Sequence, residues 1–93
     1  MKNIIVKSWI YEEIQTKAQQ YMRTIVWDKQ YRFDNEGNEY PVYKISVADV
    51  VNETEKAICF NCNFWSTRSQ RVNFTVYNGH KVWIPKSAII EMA

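Results

Sequence analysis

The sequence predicts an α+β domain: one amphipathic helix packed on a mostly antiparallel, curled sheet. Two changes of rhythm carry this. Apolar residues recur at spacings of three and four between Ile10 and Ile25, and beyond Trp27 the spacing falls to two. Turn-forming residues then punctuate the alternating runs at Asp34–Asn38 and at Asn78-Gly79. Ninety-three residues suffice for one domain, residues 1–93, and 46% of them are hydrophobic. No internal repeat or linker divides the chain.

Ile4 to Trp9 is a short β-branched run and reads as the first strand. Ser8 is placed to cap the helix that follows, with Glu12 and Glu13 in its first turns, where the helix dipole favours negative charge. Ile10, Ile14, Ala18, Tyr21, Met22 and Ile25 share one helical face, which predicts a helix from Trp9 or Ile10 to Met22 or Arg23.

Trp27, Tyr31 and Phe33 alternate with Asp28, Gln30 and Arg32, and Tyr43, Ile45 and Val47 alternate with Lys44 and Ser46. The Asn35–Asn38 turn between them predicts a hairpin, with Pro41 at an edge or near a strand end because it lacks a donor. A further strand spans Lys56–Phe64, with Ile58, Phe60, Cys62 and Phe64 on one face, and Trp65–Gln70 reads as a polar connection. Asn78-Gly79 supplies the positive φ angles of a type I′ turn, so strands 71–77 and 80–84 are expected to pair directly. The core is expected from Ile5, Ile14, Met22, Ile45, Val47, Ile58, Phe60, Val72, Phe74, Val76, Val82 and Ile84.

The segment Val82-Trp83-Ile84-Pro85-Lys86-Ser87-Ala88-Ile89-Ile90 resembles the closing part of SH3-like barrels. In those barrels a strand ends at an apolar residue and Pro, a short 3₁₀ turn follows, and an apolar pair opens the last strand. The resemblance implies an SH3-like small barrel in residues 43–92; it carries over no Pro-rich ligand. The combination of Lys56-Ala57-Ile58 with Val82–Ser87 also resembles a module of small proteins carried by bacteriophages and mobile elements. That likeness and the chain's size imply a cytoplasmic, anti-CRISPR-type inhibitor acting in a bacterial host.

Charge is unevenly spread. Residues 1–55 hold seven Lys or Arg and nine Asp or Glu, whereas Lys56–Ile90 contains five basic residues and no acidic one. Such asymmetry predicts a basic face, unless folding brings the acidic half alongside. Trp65, Arg68, Arg71, His80, Lys81 and Lys86 are the candidate partner-binding residues, since cations follow a nucleic-acid backbone and aromatic rings stack on bases. The bland alternative makes Trp65 and Trp83 core residues and the cations solvated. Asp28, Asp34, Glu36 and Glu39 cluster around the first hairpin, as a solvated turn or as a phosphate mimic towards a basic partner.

Nothing in the sequence assembles a catalytic site. His80 has no recognisable orienting carboxylate or nucleophile and reads as an exposed turn residue. Cys59-Phe60-Asn61-Cys62 has metal-ligand spacing, but residues three apart on a strand point to opposite faces, so two buried structural thiols and no metal are expected. Both glycines fall in turns, which leaves no phosphate loop. No apolar run approaches the length of a membrane span, Lys7 interrupts the short N-terminal one, and no cleavage site follows, so a cytoplasmic protein is expected. The expected function is non-enzymatic and cofactor-free. The leading role is inhibition of a host nucleoprotein, such as a CRISPR effector or its guide RNA, through the basic face; the alternative is a phage accessory protein that binds single-stranded nucleic acid, and a small enzyme is a distant third.

Overall fold

The computed structural model describes residues 2–66 and 76–92, with the backbone alone at 76–78. Strand β1 (Lys2–Lys7) leads into helix α1 (Ser8–Gln20), followed by β2 (Arg23–Ile25), β3 (Trp27–Phe33), β4 (Glu39–Glu53) and β5 (Ala57–Ser66). Strand β6 (Val76–Pro85), a 3₁₀ turn (Lys86–Ala88) and β7 (Ile89–Met92) complete it. All described pairings are antiparallel, in the order β2-β5-β4-β1-β7, with β3 beside β4 and β6 beside β5. The fold is therefore α+β with a curled sheet, as expected. Among the described residues the sheet stays unclosed and no complete barrel is seen over residues 43–92, although the strand–Pro85–3₁₀–strand ending takes the expected local form.

Helix α1 buries Ile10, Tyr11, Ile14 and Ala18 against the sheet, the stripe its spacing dictates. Its start differs from expectation: Lys7 holds the cap position without a side-chain cap, and Ser8 is already helical. Its end is earlier. Tyr21 and Met22 donate N–H bonds back to Ala18 and Gln19, and Met22 takes a left-handed φ of 55°, which breaks the helical path. Met22 is consequently 48% exposed and does not join the core.

The core lies between α1 and the sheet's inner face, where Ile25, Ile45, Phe60 and Ile84 are each fully buried. In β1 the inward residues are Ile4 and Val6, and Ile5, which alternation places on the opposite face, is only half-buried. Val82 packs at the margin of the core; Val72 and Phe74 lie outside the described residues. Strand β5 extends through Trp65 and Ser66, and residues 67–70 of the expected connection also lie outside.

Asn78-Gly79 makes no hairpin. Strand β6 runs straight through it, pairing with β5 from Trp65↔Val76 to Ala57↔Pro85. The register shifts between Cys62↔His80 and Asn63↔Asn78, so Gly79 is the extra residue of a β-bulge. Its φ of +114° has the expected sign but serves the bulge. A type I′ turn and a glycine bulge make the same local demand, and only the partner strand tells them apart. Replacing Gly79 with Val puts a β-branched side chain in that conformation, for an expected loss of about 1–3 kcal/mol. Urea denaturation checks it, and an unchanged midpoint would place the bulge elsewhere.

Candidate binding surfaces

Beyond Lys7↔Val42, β4 has no partner on the β1 side among the described residues, so residues 31–41 continue as a two-stranded ribbon past the sheet. Asp34 closes its tip: its carboxylate accepts N–H bonds from Glu36 and Asn38 at 2.9 and 2.8 Å, and Gly37 takes φ 82°. Residues directly opposite in a ladder share a face. Trp27, Lys29, Tyr31 and Phe33 therefore share one with Ile45, Tyr43, Pro41 and Glu39. It is the core face, prolonged beyond the helix that covers it.

The cover ends in an aromatic cluster. Tyr11 of α1 stacks on Tyr43 with ring centroids 3.9 Å apart, and Trp27 meets both rings at an angle. Burial, with Tyr43 alongside, pushes the Tyr11 hydroxyl up to about 12. Past this cluster the rings emerge: exposure rises from 37% at Trp27 to 53% at Tyr31 and 69% at Phe33. The Lys29 ammonium lies over the Tyr31 ring at 5.2 Å, and that tyrosine, then Tyr43, raises its pKa. At the ribbon's root, exposed Trp9 and Tyr40 flank a further hollow of about 440 Å³. Residues 27–41 carry the carboxylates of Asp28, Asp34, Glu36 and Glu39 against only Lys29 and Arg32, and Arg32 is paired with Glu91 of β7.

The residues singled out by charge fall in several places. Lys86 extends to Glu53 at 2.9 Å, so an acid from the first half of the chain meets the acid-free stretch. That exposed pair contributes at most about 1 kcal/mol to stability, but it interrupts a continuous basic face. Trp65 is half-buried in β5 between Thr24 and Val76, on the sheet face away from the helix. Lys81, opposite Asn61, shares that face and is exposed. Arg68 and Arg71 lie outside the described residues.

His80 is no exposed turn residue. It sits half-buried in β6 opposite Cys62, with Nδ1 3.3 Å from the Arg23 guanidinium, which itself lies 4.6 Å over the Phe64 ring. An arginine can only donate, so Nδ1 accepts and the imidazole is neutral. Nothing in the spacing of residues 23 and 80 announces this contact.

Cys59 and Cys62 are buried free thiols, and burial, with Cys59 alongside, pushes Cys62 up to about 12. Among the described residues no cluster of three or more His, Cys, Asp or Glu side chains could hold a metal ion, and no helix is long and apolar enough to cross a membrane. Comparison with protein-family models, with curated proteins and with solved structures finds no match to this chain.

Burial, then the Arg23 charge, holds His80 below its ordinary pKa of 6.5. Between that lowered value and about 6.5, unfolding therefore takes up a proton. The stabilisation of neutral His80 is complete above about pH 6.5 and is lost as pH falls through the lowered folded-state value. Melting temperatures between about pH 7.5 and 5 should decline less steeply for His80→Gln than for wild type. Parallel declines would mean that burial of His80 beside Arg23 does not couple folding to pH.

Proposed function

We propose that the protein is a non-enzymatic binding domain that inhibits a host nucleoprotein by gripping its protein component through the β3–β4 ribbon. The observation that carries this reading is the exposed run Trp27, Tyr31 and Phe33 set among Asp28, Asp34, Glu36 and Glu39. Aromatic side chains dominate binding energy in protein interfaces, because they bury large areas at little entropic cost. Carboxylates around them steer the surface towards a cationic partner and repel free phosphate backbones. The nucleic-acid channel of a nucleoprotein is such a cationic surface; a CRISPR effector, the class implied by the sequence resemblance, holds its heteroduplex in one. On this reading the carboxylates occupy phosphate positions, and the set Trp65, Arg68, Arg71, His80, Lys81 and Lys86 is secondary.

The test titrates the protein against a CRISPR effector with and without its guide, and against the guide RNA alone. Binding should require the effector, and Tyr31→Ala and Phe33→Ala should each weaken it by about 10- to 30-fold, the effect of losing an interface hot spot. Both side chains are mostly exposed, so the melting temperature should hardly move. Tight, steeply salt-dependent binding to RNA alone would instead give the function to the basic set and the accessory-protein role. Wild-type affinity in both variants would remove the ribbon from the interface.

A further inference from the structure

We infer that the open edge of β6, beside α1, is a docking groove for an extended peptide segment of a partner protein, which adds to the sheet as a further strand and favours an acidic side chain next to Lys81. The inference concerns another surface and does not rest on the ribbon's role.

Among the described residues β6 pairs only with β5. The ladder identifies the backbone groups left over. Lys86 N–H donates to Lys56 O at 2.8 Å, continuing the register Pro85↔Ala57 and Ile84↔Ile58. In an antiparallel pair, hydrogen-bonded and non-bonded positions alternate. Ile84, Val82 and His80 therefore direct their N–H and C=O groups at β5, while Lys81 and Trp83 direct theirs outward. Residue 85 also faces outward, which is why a proline costs the ladder nothing there. Two consecutive outward residues offer two donors and two acceptors, the pattern that another extended backbone satisfies.

The space beside this edge fits such a guest. A groove of about 280 Å³ lies between Ile10, Ile14 and Lys17 of α1, with Tyr21 just past its end, and residues His80–Trp83 of β6. Ligand pockets for small molecules start at roughly 300 Å³, so this one suits a single large apolar side chain of a bound strand. The charge that favours an acid lies on the other face of the same edge. Within the groove Lys17 is partly neutralised by Glu13 at 3.5 Å, whereas Lys81, exposed on the face away from α1, has no ion-pair partner among the described residues, so a guest residue aimed at that face is favoured as an acid. The same charge argues against a second copy of this chain, which would bring a second Lys81 to the edge.

The probe is a blocked hexapeptide of alternating Thr and Val carrying one Leu and one Glu, used with the intact protein. Amide exchange followed by NMR reads the edge directly. In the free protein Lys81 and Trp83 amides should exchange fast and Val82 and Ile84 amides slowly; the peptide should slow the first pair. N-methylating the peptide residues that face the edge removes two hydrogen bonds and should weaken binding about tenfold or more. In Lys81→Glu the preference should shift to a peptide with Lys in place of Glu, at an unchanged melting temperature. Equal binding of the N-methylated peptide, or protection of Lys81 and Trp83 in the free monomer, would overturn the proposal. Protection that appears only with rising protein concentration, as the chain dimerises, would overturn it in favour of a second copy.

Discussion

One buried amide joins the two halves of the sheet. Asn63 is 3% exposed, and its Nδ2 donates to Ser46 Oγ at 2.7 Å. At this point β4 leaves the flank of β5 and β2 takes its place: Val47 still pairs with Cys62, whereas Phe64 already pairs with Ile25. Val26 completes the corner, donating N–H to Asn63 O and accepting from Ser46 N–H, both at 3.0 Å. A sheet that changes partners inside its own interior strands backbone groups, and buried ones cost about 1–3 kcal/mol each when unpaired. The three residues satisfy one another there, so the branch point can be buried.

The position of the ribbon follows from this corner. Because Val26 hands the chain from β5 to β4, Trp27–Phe33 runs outward along β4 instead of continuing beside β5. α1 is anchored at the same place, Gln15 Oε1 accepting from Ile25 N–H at 3.2 Å, and its cover stops at the Tyr11–Tyr43 stack. Rings that the alternation aims at a core therefore emerge into solvent once the helix runs out. Strand β6, on the far side of β5, is left with an open edge among the described residues. Both candidate surfaces are places where the sheet outruns its cover.

Local signals in the sequence were legible wherever the physics is local. The helical stripe through Ile10, Ile14 and Ala18, the Asp34–Asn38 turn and the Pro85 break each appear where a spacing or a backbone constraint demands them. Gly79 was legible as a positive φ but not as a bulge, because the distinction resides in β5. Met22 continues the helical rhythm in sequence, yet a left-handed residue ends the path it belongs to. The acid-free run suggested a basic face, and Glu53 reached Lys86 from outside it. Asn63 gave no signal at all: a polar residue between Cys62 and Phe64 reads as the solvent side of an alternating strand. The ribbon's rings and carboxylates were all visible, but not that the helix would fail to cover them.

Asn63→Leu tests the corner most directly, since leucine nearly preserves the volume and removes the amide. Its urea denaturation, with amide exchange at Val26 and Ser46 followed in the same protein, reads both stability and the branch point. The expected result is a loss of about 1–3 kcal/mol, from the missing Asn63–Ser46 hydrogen bond and a misfitted corner, with both amides exchanging faster. A variant as stable as wild type, with Val26 and Ser46 still protected, would show that the sheet branches without its buried amide.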